Sequence, residues 1–138
     1  MKWYLAGPMS GIPQFNFPLF MKAAQELRDV HDLDIVSPHE LDSPSVLQAA
    51  LESPDGAPID DHGTWGDFLA RDVKLIADEV QGIIFLHNWH MSRGARLEAF
   101  VGILCGHNFA RWVPGVGIEA ISPKSVLTQL TRFTYGEL

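Results

Sequence analysis

The chain has 138 residues, the size of one domain, with 46% hydrophobic and 20% charged residues and a formal net charge of −7. That charge excludes a broad electrostatic grip on a nucleic acid polymer or an anionic membrane, whereas a small phosphorylated ligand needs only a local cluster of donors. The one cysteine, Cys105, excludes an internal disulfide and fits a reducing compartment.

In chain order, residues 2–6 (KWYLA) are an apolar run of strand length that stops at Gly7-Pro8-Met9-Ser10-Gly11, a turn-rich loop. Residues 1–8 are too short and too early broken for a signal peptide, and no apolar run reaches membrane-spanning length, so a cytoplasmic protein is expected. Asn16 is predicted to cap a helix with Pro18 in its first turn and Phe17, Phe20, Met21, Ala24 and Leu27 at helical spacing, ending near 28–31. Residues 34–36 make a second short strand, closed by Ser37-Pro38. Residues 39–63 are the least regular, with five prolines and glycines and four acids between Glu52 and Asp61. A short helix over 45–51 and a long functional loop or lid are expected there. Thr64 is placed to cap a helix over 64–77. Residues 82–86 read as a strongly apolar strand, 87–93 as a loop and 92–105 as a helix. Residues 108–113 give a fourth strand, broken by Pro114-Gly115, and 122–132 a last helix with Pro123 at its first position.

This alternation predicts a single α/β domain over 1–138. It is a doubly wound, Rossmann- or flavodoxin-like, mainly parallel sheet with helices on both faces. Ligands of such sheets bind at the C-terminal ends of the strands. Three segments fall there: the loop after Ala6, residues 37–63, and the loop after Leu86.

Two carboxylates interrupt stripes that are otherwise apolar. Glu98 shares its helix face with Met91, Gly94, Ala95, Val101, Gly102 and Cys105; Asp72 shares its own with Trp65, Phe68, Leu69, Leu75 and Ile76. A buried charge is normally paired, hydrogen-bonded, protonated or functional. Two in one small domain suggest acid chemistry in an apolar pocket, with a structural cap or ion pair as the alternative. Tyr4 faces the C-terminal end of the first strand, where its hydroxyl needs a partner such as a carboxylate unless it is simply a core aromatic. Ser92 can cap the following helix, whose first amides then face the ligand side, while Gly94 and Ala95 keep its start narrow. A phosphate at that terminus and an ordinary capped helix are both open. Gly7, Ser10 and Gly11 offer close backbone approach and a hydroxyl, but no Walker or dinucleotide fingerprint is present. His87 and His90 alone are a loose metal signal, and no Gly-x-Ser-x-Gly elbow exists.

Tyr4 to Gly11, the Asp72 helix and the run from Ser92 to Glu98 together resemble the nucleoside 2-deoxyribosyltransferase superfamily over residues 2 to 113. The likeness is to a small branch common in phages and bacteria, near the deoxynucleoside monophosphate N-glycosidases. The resemblance implies that Glu98 is the nucleophile at the anomeric carbon. Asp72 then assists departure of the base, and Tyr4 holds Glu98. It further implies that Ser92 binds a 5-phosphate and that Gly7, Ser10 and Gly11, with Gly94, line the ligand. Gln81 stands where relatives often carry an acid, and nothing from Pro114 onward matches.

The expectation is therefore cleavage of the N-glycosidic bond of a 2-deoxyribonucleoside 5-monophosphate, by hydrolysis or by transfer to another base. No metal and no organic cofactor is called for, and the partner is a small deoxynucleoside or deoxynucleotide. A nucleotide-binding module without turnover is the alternative, and a metal-dependent hydrolase through His87 and His90 a third. Trp89, Phe109, Trp112 and Phe133 are many large apolar groups for a small domain, so a homo-oligomer is expected.

Overall fold

The computed structural model describes residues 1–58 and 63–135. Five strands, β1 (Lys2–Ala6), β2 (Asp34–Val36), β3 (Gly82–Phe85), β4 (Asn108–Val113) and β5 (Gly117–Ile121), form one sheet in the order β2-β1-β3-β4-β5. The first four are parallel and β5 is antiparallel to β4. The helices are α1 (Phe17–Asp29), α2 (Pro44–Leu51), α3 (Trp65–Asp78), α4 (Arg93–Cys105) and α5 (Pro123–Tyr135).

The central strands are buried on both faces, and their side chains alternate between two cores. Leu5, Ile84, Leu86 and Ala110 pack with Phe17, Phe20 and Leu27 of α1 and Ala50 of α2. Tyr4, Ala6, Ile83, Phe85 and Phe109 pack with Leu75 and Ile76 of α3, Ala95 and Ala99 of α4, and Val126 and Leu130 of α5. The sheet is thus covered on both faces, as expected of a doubly wound domain. Because β1 is followed by β2 on one side and β3 by β4 on the other, the order reverses between β1 and β3. Their C-terminal ends flank the crevice where such folds bind ligands.

Two expectations need correction. Residues 114–121 are not simply a break: Val116 N–H donates to Val113 C=O at 2.9 Å in a hairpin turn, and β5 follows. β5 is an edge strand with Ile118, Glu119 and Ala120 all exposed, so it lacks the alternation that marks a half-buried strand. Asn16 precedes α1 as foreseen but caps nothing. It is left-handed (φ 61°), and its side-chain amide donates to Pro8 C=O at 3.0 Å. Gln14 and Phe15 are left-handed too, at φ 58° and 52°. Three consecutive non-glycine residues in this region are strained, and the surroundings must hold them. Gln14 does so twice, donating from its backbone to Ser53 C=O at 2.8 Å and from its side chain to Leu51 C=O at 3.0 Å.

Three of the four aromatics behind the expected oligomer are accounted for within the chain. Trp89, Phe109 and Trp112 are buried within this chain, and Trp112 donates its indole N–H to Glu26; the side chain of Phe133 lies outside the described residues. Among the described residues no helix is long and apolar enough to cross a membrane.

Candidate active site

A cavity of about 660 Å³ opens at the C-terminal ends of β1 and β3. Its polar lining comes from Arg71 and Asp72 of α3, Ser92, Arg93 and Glu98 at and after the start of α4, Asp42, and Ser10 of the loop after β1. Its apolar wall includes Ile12, Phe15, Val46 and Trp65. The strained turn over Gln14–Asn16 presents Phe15 to this wall. Trp65, Phe68 and Leu69, expected on the buried face of their helix, line the cavity instead, and only Leu75 and Ile76, a turn further on, are in the core.

Each site residue is positioned by a local cause. Alternation along β1 sends Tyr4 to the α3/α4 side, since Tyr4 pairs in register with Ile83 of the same core. Thr64 begins α3 with a reciprocal capping box: its hydroxyl accepts from Asp67 N–H at 3.1 Å, and the Asp67 carboxylate accepts from Thr64 N–H at 2.9 Å. Ser92 begins α4, accepting from Ala95 N–H at 3.2 Å. Two turns into α3 and α4 stand Asp72 and Glu98, each only 3% exposed.

The Tyr4 hydroxyl donates to Glu98 Oε2 at 2.5 Å, and both side chains are buried. Burial pushes the Glu98 carboxyl up to about 8, and the neighbouring Asp72 charge adds to this; the Tyr4 hydrogen bond and Arg71 act in the other direction. Burial also raises Asp72, against the pull of Arg71, whose Nε lies 3.0 Å from Asp72 Oδ1. Tyr4 is held far above the ordinary tyrosine value, first by burial and then by Glu98 and Asp72, so it is a donor at every working pH. The pair therefore keeps a proton near neutrality.

Of the loop residues, Gly7 and Ser10 line the cavity and Gly11 does not. Gly7 is required by close packing, because a Cβ there would lie 2.9 Å from Leu86 Cβ. Gly11 is left-handed (φ 79°) and donates its N–H to Gly56 C=O at 2.9 Å, tying the loop to the segment after α2. Gly94 lines the cavity, but a Cβ there would approach nothing closer than 3.8 Å, so the narrow helix start expected of it is not required by packing. The sequence reading missed Arg71 and Asp42. Both line the cavity, and Arg71 Nη1 meets Asp42 Oδ1 at 2.6 Å. Arg93 lies over the Trp65 ring, 4.8 Å from its centroid, at the cavity rim.

Gln81 lies at the opposite end of the strands. Its backbone and side chain stitch β1 and β4 to β3 through Lys2 and Asn108, so the departure there does not touch the cavity. Among the described residues no three His, Cys, Asp or Glu side chains gather as a metal site requires. His87 is exposed and His90 half-buried on the short turn ahead of α4.

The profile of a domain of unknown function, DUF4406, matches residues 1–109, and the chain belongs to that family. The match takes in β1, both acids and the whole of α4. No curated protein and no solved structure matches the chain.

Proposed function

We propose that this DUF4406 domain cleaves the N-glycosidic bond of a 2-deoxyribonucleoside 5-monophosphate, with Glu98 as nucleophile, Asp72 as the acid on the base side and Tyr4 orienting Glu98. The observation that carries it is a buried glutamate held by a buried tyrosine hydroxyl at 2.5 Å, beside a second buried carboxyl, at the switch point of the sheet. The resemblance of the same three residues to the deoxyribosyltransferase superfamily supports the assignment.

One proton suffices for the chemistry. Glu98 passes its proton to the Asp72 carboxylate and attacks the anomeric carbon. The carbon–nitrogen bond breaks through an oxocarbenium-like state, and the leaving base takes the proton from Asp72. Water then attacks the same carbon, freeing the Glu98 carboxylate and returning a proton to the pair. The products are the free base and deoxyribose 5-phosphate; a second base in place of water gives transfer. The first amides of α4 and the Ser92 hydroxyl receive the phosphate, with Arg93 at the rim.

A binding module without turnover is the second reading. It is favoured by the same raised Glu98 value, since a neutral carboxyl is a good partner for a sugar hydroxyl. The outer face of α4 exposes Leu97, Phe100 and Leu104, and we propose a homo-oligomer through it, to be checked by mass in solution.

The test is incubation with each common deoxynucleoside 5-monophosphate and chromatography for free base, with Glu98→Ala as control. Base released by wild type alone supports the reading. Full activity in Glu98→Ala removes it. Nucleotide bound and recovered unchanged favours the module.

A further inference from the structure

We propose that Arg71 is a positioning residue that keeps Asp72 ionised, that Asp42 holds it in place, and that the single proton of the acid pair therefore rests on Glu98 before substrate binds. The inference uses the glycosidase reading only for what the proton later does.

The geometry is built rather than incidental. Neighbours at i and i+1 on a helix point away from each other, so Arg71 does not meet Asp72 by helix geometry alone. Its guanidinium is drawn across by Asp42, 29 positions earlier in the chain, in the segment just ahead of α2. One turn back, the Phe68 ring supports it from below, 5.3 Å from centroid to guanidinium carbon. The two carboxylates are 6% and 4% exposed while the arginine is 30% exposed, so the acids are withdrawn from water and the cation bridges them. Exposed ion pairs contribute little, but charges held this way decide protonation states.

Among the described residues, four groups bear on Asp72. Tyr4 comes from β1, Arg71 from α3 itself and Asp42 from the segment before α2, and Glu98 of α4 is coupled to Asp72 as the other acid of the pair. Tyr4 is uncharged and favours the ionised Asp72 through its hydroxyl, whereas burial and the Asp42 charge disfavour it. Arg71 is the one cation among them, so removing it leaves burial and the Asp42 charge opposed only by the Tyr4 hydrogen bond. The proton then divides between two similar carboxyls instead of resting on one. Asp42 has two opposed effects on Asp72. As a charge it repels ionisation directly, and as an anchor it favours ionisation by fixing Arg71. The proposal says that the anchor prevails.

The experiment follows thermal denaturation against pH in Glu98→Gln, where Asp72 is the remaining acid of the pair, and adds Arg71→Met, Arg71→Lys or Asp42→Asn. In Glu98→Gln/Arg71→Met the fall of Tm with rising pH extends at least about one pH unit higher than in Glu98→Gln alone. Arg71→Lys keeps the charge without the fork and lies between them. Asp42→Asn moves the window the same way, upward, although it removes a repelling charge. Superimposed profiles for Glu98→Gln and its Arg71→Met derivative overturn the proposal. So does a downward shift in Asp42→Asn, which decides the matter even if Arg71→Met fails to fold. Where wild type releases base, Arg71→Met lowers kcat at least tenfold with KM changed less than twofold, and it moves the acidic limb of the pH profile upward. If no nucleotide yields base, the glycosidase reading falls while the titration still decides the role of Arg71.

Discussion

Replacing Glu98 by glutamine makes the protein more stable at alkaline pH and leaves it nearly unchanged in acid. The buried carboxyl has a value of about 8 in the folded chain against an ordinary 4.5. Below the lower value both folded and unfolded chains carry the proton. Between the two values the folded chain holds a proton that the unfolded chain has released, so stability falls as pH rises; above about 8 the loss is complete. At about 1.4 kcal/mol per pH unit the ceiling is about 5 kcal/mol, and water entering the open cavity reduces this to about 2–4 kcal/mol. Glutamine has nearly the same shape, its amide oxygen still accepts from Tyr4, and it carries no proton to lose. Melting curves at pH 5, 7 and 9 give the comparison. At pH 5 the gap is only about 1 kcal/mol, and at pH 9 the variant melts about 10 °C higher, at roughly 3–5 °C per kcal/mol. A constant gap across the range, or a variant less stable at pH 9, refutes the argument that Glu98 is held neutral by burial.

Tyr4→Phe removes the donor that favours the ionised Glu98, moving its titration above about 8 and costing about 1–2 kcal/mol at pH 9 by melting; under the proposed reaction it also lowers base release at pH 7 at least tenfold. Ser92→Ala loses the α4 cap, about 1 kcal/mol in denaturant titration. Under the proposed reaction it also raises KM for a monophosphate at least tenfold while leaving the matching nucleoside unaffected. Gly102→Ala brings a methyl to 2.7 Å from Ile83 Cδ1 and 3.0 Å from Phe109 Cε1, and lowers stability by about 1–3 kcal/mol at every pH. Gly94→Ala meets nothing within 3.8 Å and raises stability by up to about 1 kcal/mol, because glycine is a poor helix former; equal effects from the two glycines contradict the packing described.

The four parallel strands and all five helices were legible because each carries its own signal: a fully apolar run, a helical stripe, or a cap such as Thr64, Ser92 or Pro123. Both acids were legible for the opposite reason, since each breaks a stripe. β5 was not, because an exposed edge strand has no face to pattern. The left-handed turn over Gln14–Asn16 was not, because it is imposed by Ser53, Leu51 and Pro8, contacts that no local rule anticipates. Arg71 was missed for the same kind of reason. In sequence it is an ordinary polar residue on a helix, and its role depends on Asp42, which only the tertiary fold brings near. Trp65, Phe68 and Leu69 show the converse. Helical spacing correctly put them on the face of Asp72, but that face runs off the core and onto the cavity wall one turn before Leu75.

The site depends on a parity in β1. Tyr4 pairs with Ile83 and Val36, and Leu5 with Ile84, so Tyr4 faces α4 while Leu5 faces α1. A slip of one residue would exchange them, putting a hydroxyl among Phe17 and Phe20 and a leucine against Glu98. The two-sided core forbids that slip, because both faces of the sheet are filled and neither can accept the other's side chain without a void or an unsatisfied hydroxyl. The packing that fixes the register is thus the same packing that withdraws Glu98 from water and keeps its proton on. Stability of the sheet and the raised Glu98 value have one cause, and a variant that loosens the β1–α4 contact lowers both together.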